Sequence, residues 1–128
     1  MKINGYHHIG LLVQDMDKSL DFYLKGLGGK TVHTFPMGDS GKTIHLVDLG
    51  GNAVIELIPR GEGKEEQDAH WAHICLNADD VKAAYAQAIA AGAVSRSEPH
   101  EGKLGSMAMS NAFVLGPDDE VIEFFTVY

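Results

Sequence analysis

Short apolar runs broken by glycine and small polar residues alternate with two stretches of helical period, and the order of these elements repeats along the chain. Residues 6–13 (YHHIGLLV) read as a first strand. Period two groups Tyr6, His8, Gly10 and Leu12 on one face and His7, Ile9, Leu11 and Val13 on the other. Asp15 or Asp17 then begins a helix, where a carboxylate accepts from free backbone N–H groups and complements the positive end of the dipole. Its apolar stripe is Met16, Leu20, Tyr23, Leu24 and Leu27, and Gly26, Gly28 and Gly29 supply the stop. Runs 30–36 and 42–49 form a hairpin across 37–41 (MGDSG), and after Gly50-Gly51-Asn52 a further strand covers 53–59.

The polar stretch 60–68 (RGEGKEEQD) has no apolar period and reads as a linker. Beyond it the same order returns. Residues 69–77 predict a strand, and Asp79 caps a helix whose apolar side is Val81, Ala84, Tyr85, Ala88 and Ile89, with Gly92 past its end. Residues 93–97 read as a strand, 99–106 as a charged, glycine-containing loop, and 107–115 and 120–127 as the last two strands. His8-Ile9-Gly10-Leu11 matches His73-Ile74-Cys75-Leu76, each with an Asp seven residues after the His, and both halves close on Val-Ile-Glu. Internal similarity of this kind predicts a pseudo-twofold α+β domain: one module at 1–60, a linker at 61–68 and a second module at 69–128.

The repeated Val-Ile-Glu strands carry the candidate chemistry. Glu56 lies within VIELI and Glu123 within VIEFF. Burying an unpaired carboxylate costs several kcal/mol or more, so each needs a partner. Each half offers one His on its first strand and one Glu on its last, 48 residues apart in the first half and 50 in the second. The faces opposite them hold Ile9, Leu11, Ile55, Leu57, Ile74, Leu76, Ile122 and Phe124, as a helix-covered surface requires. The His and Glu faces then line the inside of a curved sheet. Taken singly, a strand His is usually structural and a strand Glu an edge residue. Together, His8, Glu56, His73 and Glu123 suit a divalent transition ion that accepts mixed nitrogen and oxygen ligands, such as Ni²⁺, Zn²⁺, Co²⁺, Mn²⁺ or Fe²⁺.

Composition narrows the partners. The 128 residues are the size of one domain, and 45% hydrophobic with 22% charged residues is ordinary for a soluble globular protein. A net charge of -8 argues against nucleic acid and anionic membrane surfaces, leaving small molecules. A single cysteine, Cys75, excludes an internal disulfide framework, and neither a secretory signal nor a membrane-spanning run is evident. The expectation is a cytoplasmic protein.

The HIGLLV…DFY opening from His8, the Val-Ile-Glu-Leu strand, HICL…DDV from His73, and GPD…VIEF from Gly116 resemble the vicinal oxygen chelate superfamily, especially its glyoxalase I-like members. The resemblance covers nearly the whole chain. It implies two tandem βαβββ modules forming a cupped mixed sheet with outer helices, usually a homodimer, and metal ligands at His8, Glu56, His73 and Glu123. Glyoxalase I-like enzymes use all four positions, whereas ring-cleaving and fosfomycin-resistance members use two His and one Glu. Glu56 therefore favours a glyoxalase I-type lyase or isomerase, of the lactoylglutathione lyase class, with Ni²⁺ or Zn²⁺ the leading ions. The implied reaction is proton transfer next to a carbonyl through a metal-stabilised enediolate, with Glu123 or Glu56 as base. The alternatives are a methylmalonyl-CoA epimerase-like enzyme, whose strand IELIP also resembles, and a non-catalytic small-molecule-binding or resistance protein. Substrates on these readings are a 2-oxoaldehyde–thiol adduct or an acyl-CoA. Glutathione-using relatives carry an Arg four residues after the first His; here Leu12 stands there, leaving Arg60 and Lys103 as candidate replacements.

Other residues receive structural readings. His7 points away from His8, His33 and His45 occupy two arms of one hairpin, His70 and His100 lie in the linker region and late loop, and Cys75 is a buried thiol. Trp71, Met107, Met109 and Phe125 are candidates to line an apolar pocket.

Overall fold

The computed structural model describes residues 7–60, 73–104 and 107–128. The chain divides into two compact units, Met1–Glu65 and Glu66–Tyr128. The expected linker at 61–68 lies outside the described residues, as do Tyr6, His70 and Trp71.

The first unit runs β1 (Ile9–Val13), α1 (Met16–Leu20) with a π-helical continuation Asp21–Gly26, β2 (Lys30–Pro36), β3 (Thr43–Asp48) and β4 (Val54–Pro59). Its sheet order is β1-β4-β3-β2, with β1 parallel to β4 and the other pairs antiparallel. The second unit repeats this with β5 (Ile74–Asn77), α2 (Val81–Ala90), β6 (Val94–Leu104), β7 (Met107–Leu115) and β8 (Val121–Val127), ordered β5-β8-β7-β6. Two mixed four-stranded sheets in tandem βαβββ order confirm the α+β reading.

Alternation decides which face of each sheet is covered. Val13, Val47, Ile55 and Leu57 share one face of the first sheet and are at most 2% exposed. Ile74, Val114, Ile122 and Phe124 share one face of the second and are at most 7% exposed, and α2 packs on β6, β7 and β8. Of the eight apolar positions expected to be covered, five are buried and Ile9, Leu11 and Leu76 are half-buried. Each fully buried aliphatic side chain contributes about 1.5–3 kcal/mol, so these faces carry much of the stability.

Both helices depart from the expected stripes. Asp15 caps α1, its Oδ1 accepting from Lys18 N–H at 3.1 Å. After Leu20 the chain widens to a π turn, in which Leu27 N–H donates to Phe22 carbonyl at 2.9 Å, five residues back. Ser19, Phe22 and Tyr23, an i, i+3, i+4 face, are buried, while Met16, Leu20, Leu24 and Leu27 are half-buried. In α2 the cap is Asp80, whose Oδ1 accepts from Ala83 N–H at 2.9 Å, and not Asp79. Val81 and Ala88 are buried, but Ile89 is exposed.

The expected loop at 99–106 is also corrected. β6 runs through to Leu104, pairing with β7 past two register shifts between Ser95 and His100. Bulges and an edge position accommodate Pro99, which has no N–H to give a ladder.

Candidate functional site

In both units the histidine precedes the first strand by one residue, because β1 starts at Ile9 and β5 at Ile74. The imidazoles are thus free of ladder geometry yet tethered to it, whereas each Glu sits inside a central strand with fixed neighbours. In β4, Glu56 pairs in register with Gly10 on one side and Leu46 on the other. In β8, Glu123 pairs with Cys75 and Phe113 at the corresponding places.

In the first unit His8 Nε2 lies 3.7 Å from Glu56 Oε1. That separation exceeds a hydrogen bond and leaves an electrostatic contact. Gly10 stands against this pair: a Cβ there would lie at ordinary contact distance, 3.7 Å from Glu56 Oε1 and 3.4 Å from Ile58 Cδ1. Leu12, Ile44, Leu46 and Ile58 on this face are apolar, while Asp48 shares it through its pairing with Val54. His7 differs from expectation. With both residues outside the ladder, alternation does not separate them, and the Nδ1 atoms of His7 and His8 approach to 2.8 Å.

The second unit binds its carboxylate more tightly. Glu123 is only 7% exposed. His73 Nε2 lies 3.1 Å from Oε2, while Asn111 Nδ2 donates to Oε1 at 3.0 Å. The Phe113 ring meets the His73 ring edge-on, with centroids 5.9 Å apart. Cys75 is exposed and not buried as expected, but its thiol is pushed up to about 11 by partial burial first, then by the charge and hydrogen bond of Glu123. It therefore stays protonated at neutral pH.

The four predicted ligands thus form two His–Glu pairs, His8 with Glu56 in the first unit and His73 with Glu123 in the second. Among the described residues, no three His, Cys, Asp or Glu side chains gather closely enough to hold an ion. Asn111 was not anticipated. The available signal was a polar pair, Ser110-Asn111, interrupting the apolar run of β7, the same kind of anomaly that singles out the two Glu residues.

Other expectations sort by register. His33 and His45 do lie on the arms of one hairpin, pairing with Leu46 and Thr34 respectively, so they occupy opposite faces. His100 is on β6, paired with Asn111 and hence on the Glu123 face, and its ring overlies Gly102. Lys103 pairs with Ala108, which places it on the face opposite Glu123. Arg60 follows β4; its N–H donates to Val13 carbonyl at 2.9 Å and its carbonyl accepts from Lys42 Nζ at 3.1 Å. Met109 is buried, Phe125 half-buried and Met107 exposed, all on the strand positions that share the Glu123 face.

Comparison with known proteins bears on this arrangement. The chain is 32% identical over 120 residues to a probable lactoylglutathione lyase of Vibrio cholerae, covering 91% of this chain and 86% of that protein. A 32-residue stretch is 56% identical to the putative ring-cleaving dioxygenase MhqA of Bacillus subtilis, 25% of this chain and 10% of that one. Among solved structures, a glyoxalase I variant from Zea mays superposes with a TM-score of 0.73 at 23% identity, over 93% of this chain and 43% of that one. At that identity the likeness concerns the fold alone. The family model for the Glyoxalase/Bleomycin resistance protein/Dioxygenase superfamily matches residues 5–124, and the chain belongs to that superfamily.

Proposed function

We propose that the protein is a metal-dependent lyase or isomerase of glyoxalase I type, with His8, Glu56, His73 and Glu123 as its metal ligands. The observation that carries this reading is the same in each unit: an imidazole Nε2 faces a strand carboxylate, at 3.7 Å in the first and 3.1 Å in the second. Glu123 is the sharper case. It is almost wholly buried, and among the described residues its only chargeable basic partner is one imidazole. A buried carboxylate so placed fits a cation, and two imidazole nitrogens with two carboxylates are a donor set for Ni²⁺ or Zn²⁺, with Co²⁺, Mn²⁺ and Fe²⁺ also compatible. When bound, such an ion supplies Lewis acidity toward adjacent substrate oxygens and offsets the negative charge that develops during proton removal.

The chain's own residues supply the proton chemistry. A carboxylate takes the proton from the carbon next to the carbonyl and returns it to the neighbouring carbon, so the reaction is an isomerisation with no net gain or loss. Glu56 and Glu123 are the candidate bases. Glu56 has the greater freedom, having no described partner closer than His8, whereas Asn111 and His73 hold both oxygens of Glu123. The substrate on this reading is a 2-oxoaldehyde–thiol adduct. Leu12 at the first-strand position makes a thiol other than glutathione the better fit. A homodimer that draws one His–Glu pair from each chain would complete the ligand set, and a cytoplasmic location accords with this chemistry.

The test is metal analysis of the purified protein, as isolated and after addition of Ni²⁺ or Zn²⁺, beside a His8→Ala/Glu123→Ala double variant. Stoichiometric ion in the wild type and none in the variant is expected; equal content in both would remove the basis of the proposal. Hemithioacetals of methylglyoxal with several thiols then probe the reaction. Deuterium exchange next to a thioester in D₂O, without hemithioacetal turnover, would instead indicate acyl-CoA epimerase activity. Metal-independent retention of a small molecule without turnover would indicate a binding protein.

A further inference from the structure

The two units repeat in backbone but not in what surrounds their carboxylates. Glu56 and Glu123 occupy matching strand positions, paired with Leu46 and Phe113 on the neighbouring strand. Two residues before those partners stand Ile44 in the first unit and Asn111 in the second. The apolar residue leaves Glu56 with a 3.7 Å contact to His8, whereas the amide gives Glu123 a 3.0 Å hydrogen bond to Oε1. A carboxylate accepts and never donates, so Asn111 must present its NH₂ group, and the orientation of its amide follows.

The bond divides the labour between the two oxygens of Glu123. Oε1 is engaged by Asn111, while Oε2 lies beside His73 Nε2 at 3.1 Å. The Phe113 ring against His73 restrains the second partner of this arrangement. A charge-assisted hydrogen bond of this length in a largely buried setting holds the carboxylate in one rotamer. We propose that Asn111 is a positioning residue for Glu123, restraining Oε1 so that Oε2 alone is presented beside His73 for ligation, and that the first unit has no such restraint on Glu56. This rests on the metal-dependent reading above. Groups that orient ligands in this manner typically alter metal affinity about 10–100-fold when removed.

Calorimetric titration of metal-free protein with Zn²⁺, and the visible absorption of the Co²⁺ form, test the role without reference to turnover. Asn111→Leu, close in shape but without a donor, is expected to weaken Zn²⁺ binding by about 10–100-fold and to change the Co²⁺ spectrum, with Asn111→Gln recovering part of both. Ser110→Ala, on the opposite face of β7, is the packing control and is expected to change neither. Circular dichroism and thermal melts of the metal-free variants establish that each is folded. Wild-type affinity and spectrum in Asn111→Leu, alongside loss of binding in Glu123→Ala, would overturn the role of Asn111 while leaving the metal reading intact. Absence of Zn²⁺ binding in the wild type would overturn both.

Discussion

Among single residues, Cys75 shows how partial burial, reinforced by a neighbour's charge, changes the chemistry of a thiol. Its thiol is solvent-accessible, yet burial of part of the side chain and the adjacent Glu123 push it up to about 11 from 9.0. Since the thiolate is the reactive form, alkylation at pH 8 should run roughly a hundredfold slower than for an unperturbed thiol. The rate should rise with pH through that raised value. Glu123→Gln removes the charge but not the burial, so it should recover part of the rate; mass-spectrometric timing of iodoacetamide labelling measures both. A Cys75 that reacts at the unperturbed rate at pH 8 would contradict the arrangement. Gly29 is a second residue whose role is steric. A Cβ there would stand 2.7 Å from Tyr23 carbonyl oxygen and 2.8 Å from Val47 Cγ1, both in well-packed surroundings. Gly29→Ala should therefore destabilise by about 1–3 kcal/mol, read as a lowered urea midpoint.

At the level of elements, the helix caps connect the repeat to stability. Asp15 and Asp80 each follow their histidine by seven residues, and both accept from a backbone N–H three residues on. The repeat thus pointed to Asp80, whereas local composition pointed equally well to its neighbour Asp79. Asp80→Ala should cost about 1 kcal/mol, and Asp79→Ala less than about 0.5 kcal/mol, in denaturant unfolding. Equal effects would contradict the observed cap. The π turn at Asp21–Gly26 had no comparable signal, because apolar spacing compatible with an α-helix is also present there. In the structure Phe22 and Tyr23 are buried there, while Leu24 and Leu27 are half-buried. β6 poses the reverse difficulty: glycine, proline and charge suggest a loop, yet an edge strand tolerates all three when register shifts absorb the irregularity.

For the molecule as a whole, metal linkage is the measurable consequence of the proposed function. A ligand that binds only the folded state stabilises by about 4 kcal/mol at a thousandfold excess over its dissociation constant. Adding Ni²⁺ or Zn²⁺ should raise the wild-type melting temperature and leave that of the His8→Ala/Glu123→Ala double variant unchanged. An equal shift in both would assign the stabilisation to adventitious sites. No helix among the described residues is long and apolar enough to cross a membrane.

The sequence by itself determined the order of elements, the repeat and the covered faces. Those properties follow from local spacing: alternation assigns strand faces, and a duplicated sequence imposes a duplicated topology. What only the tertiary structure decided depends on residues that meet across strands. Asn111 is twelve positions from Glu123 and reaches it through antiparallel register, just as Cys75 reaches it through a parallel pairing 48 residues long. The same holds for Lys103, removed from the Glu123 face by a bulged edge strand whose parity cannot be counted along the chain. Register is a property of two strands at once, and a reading of either strand alone does not contain it.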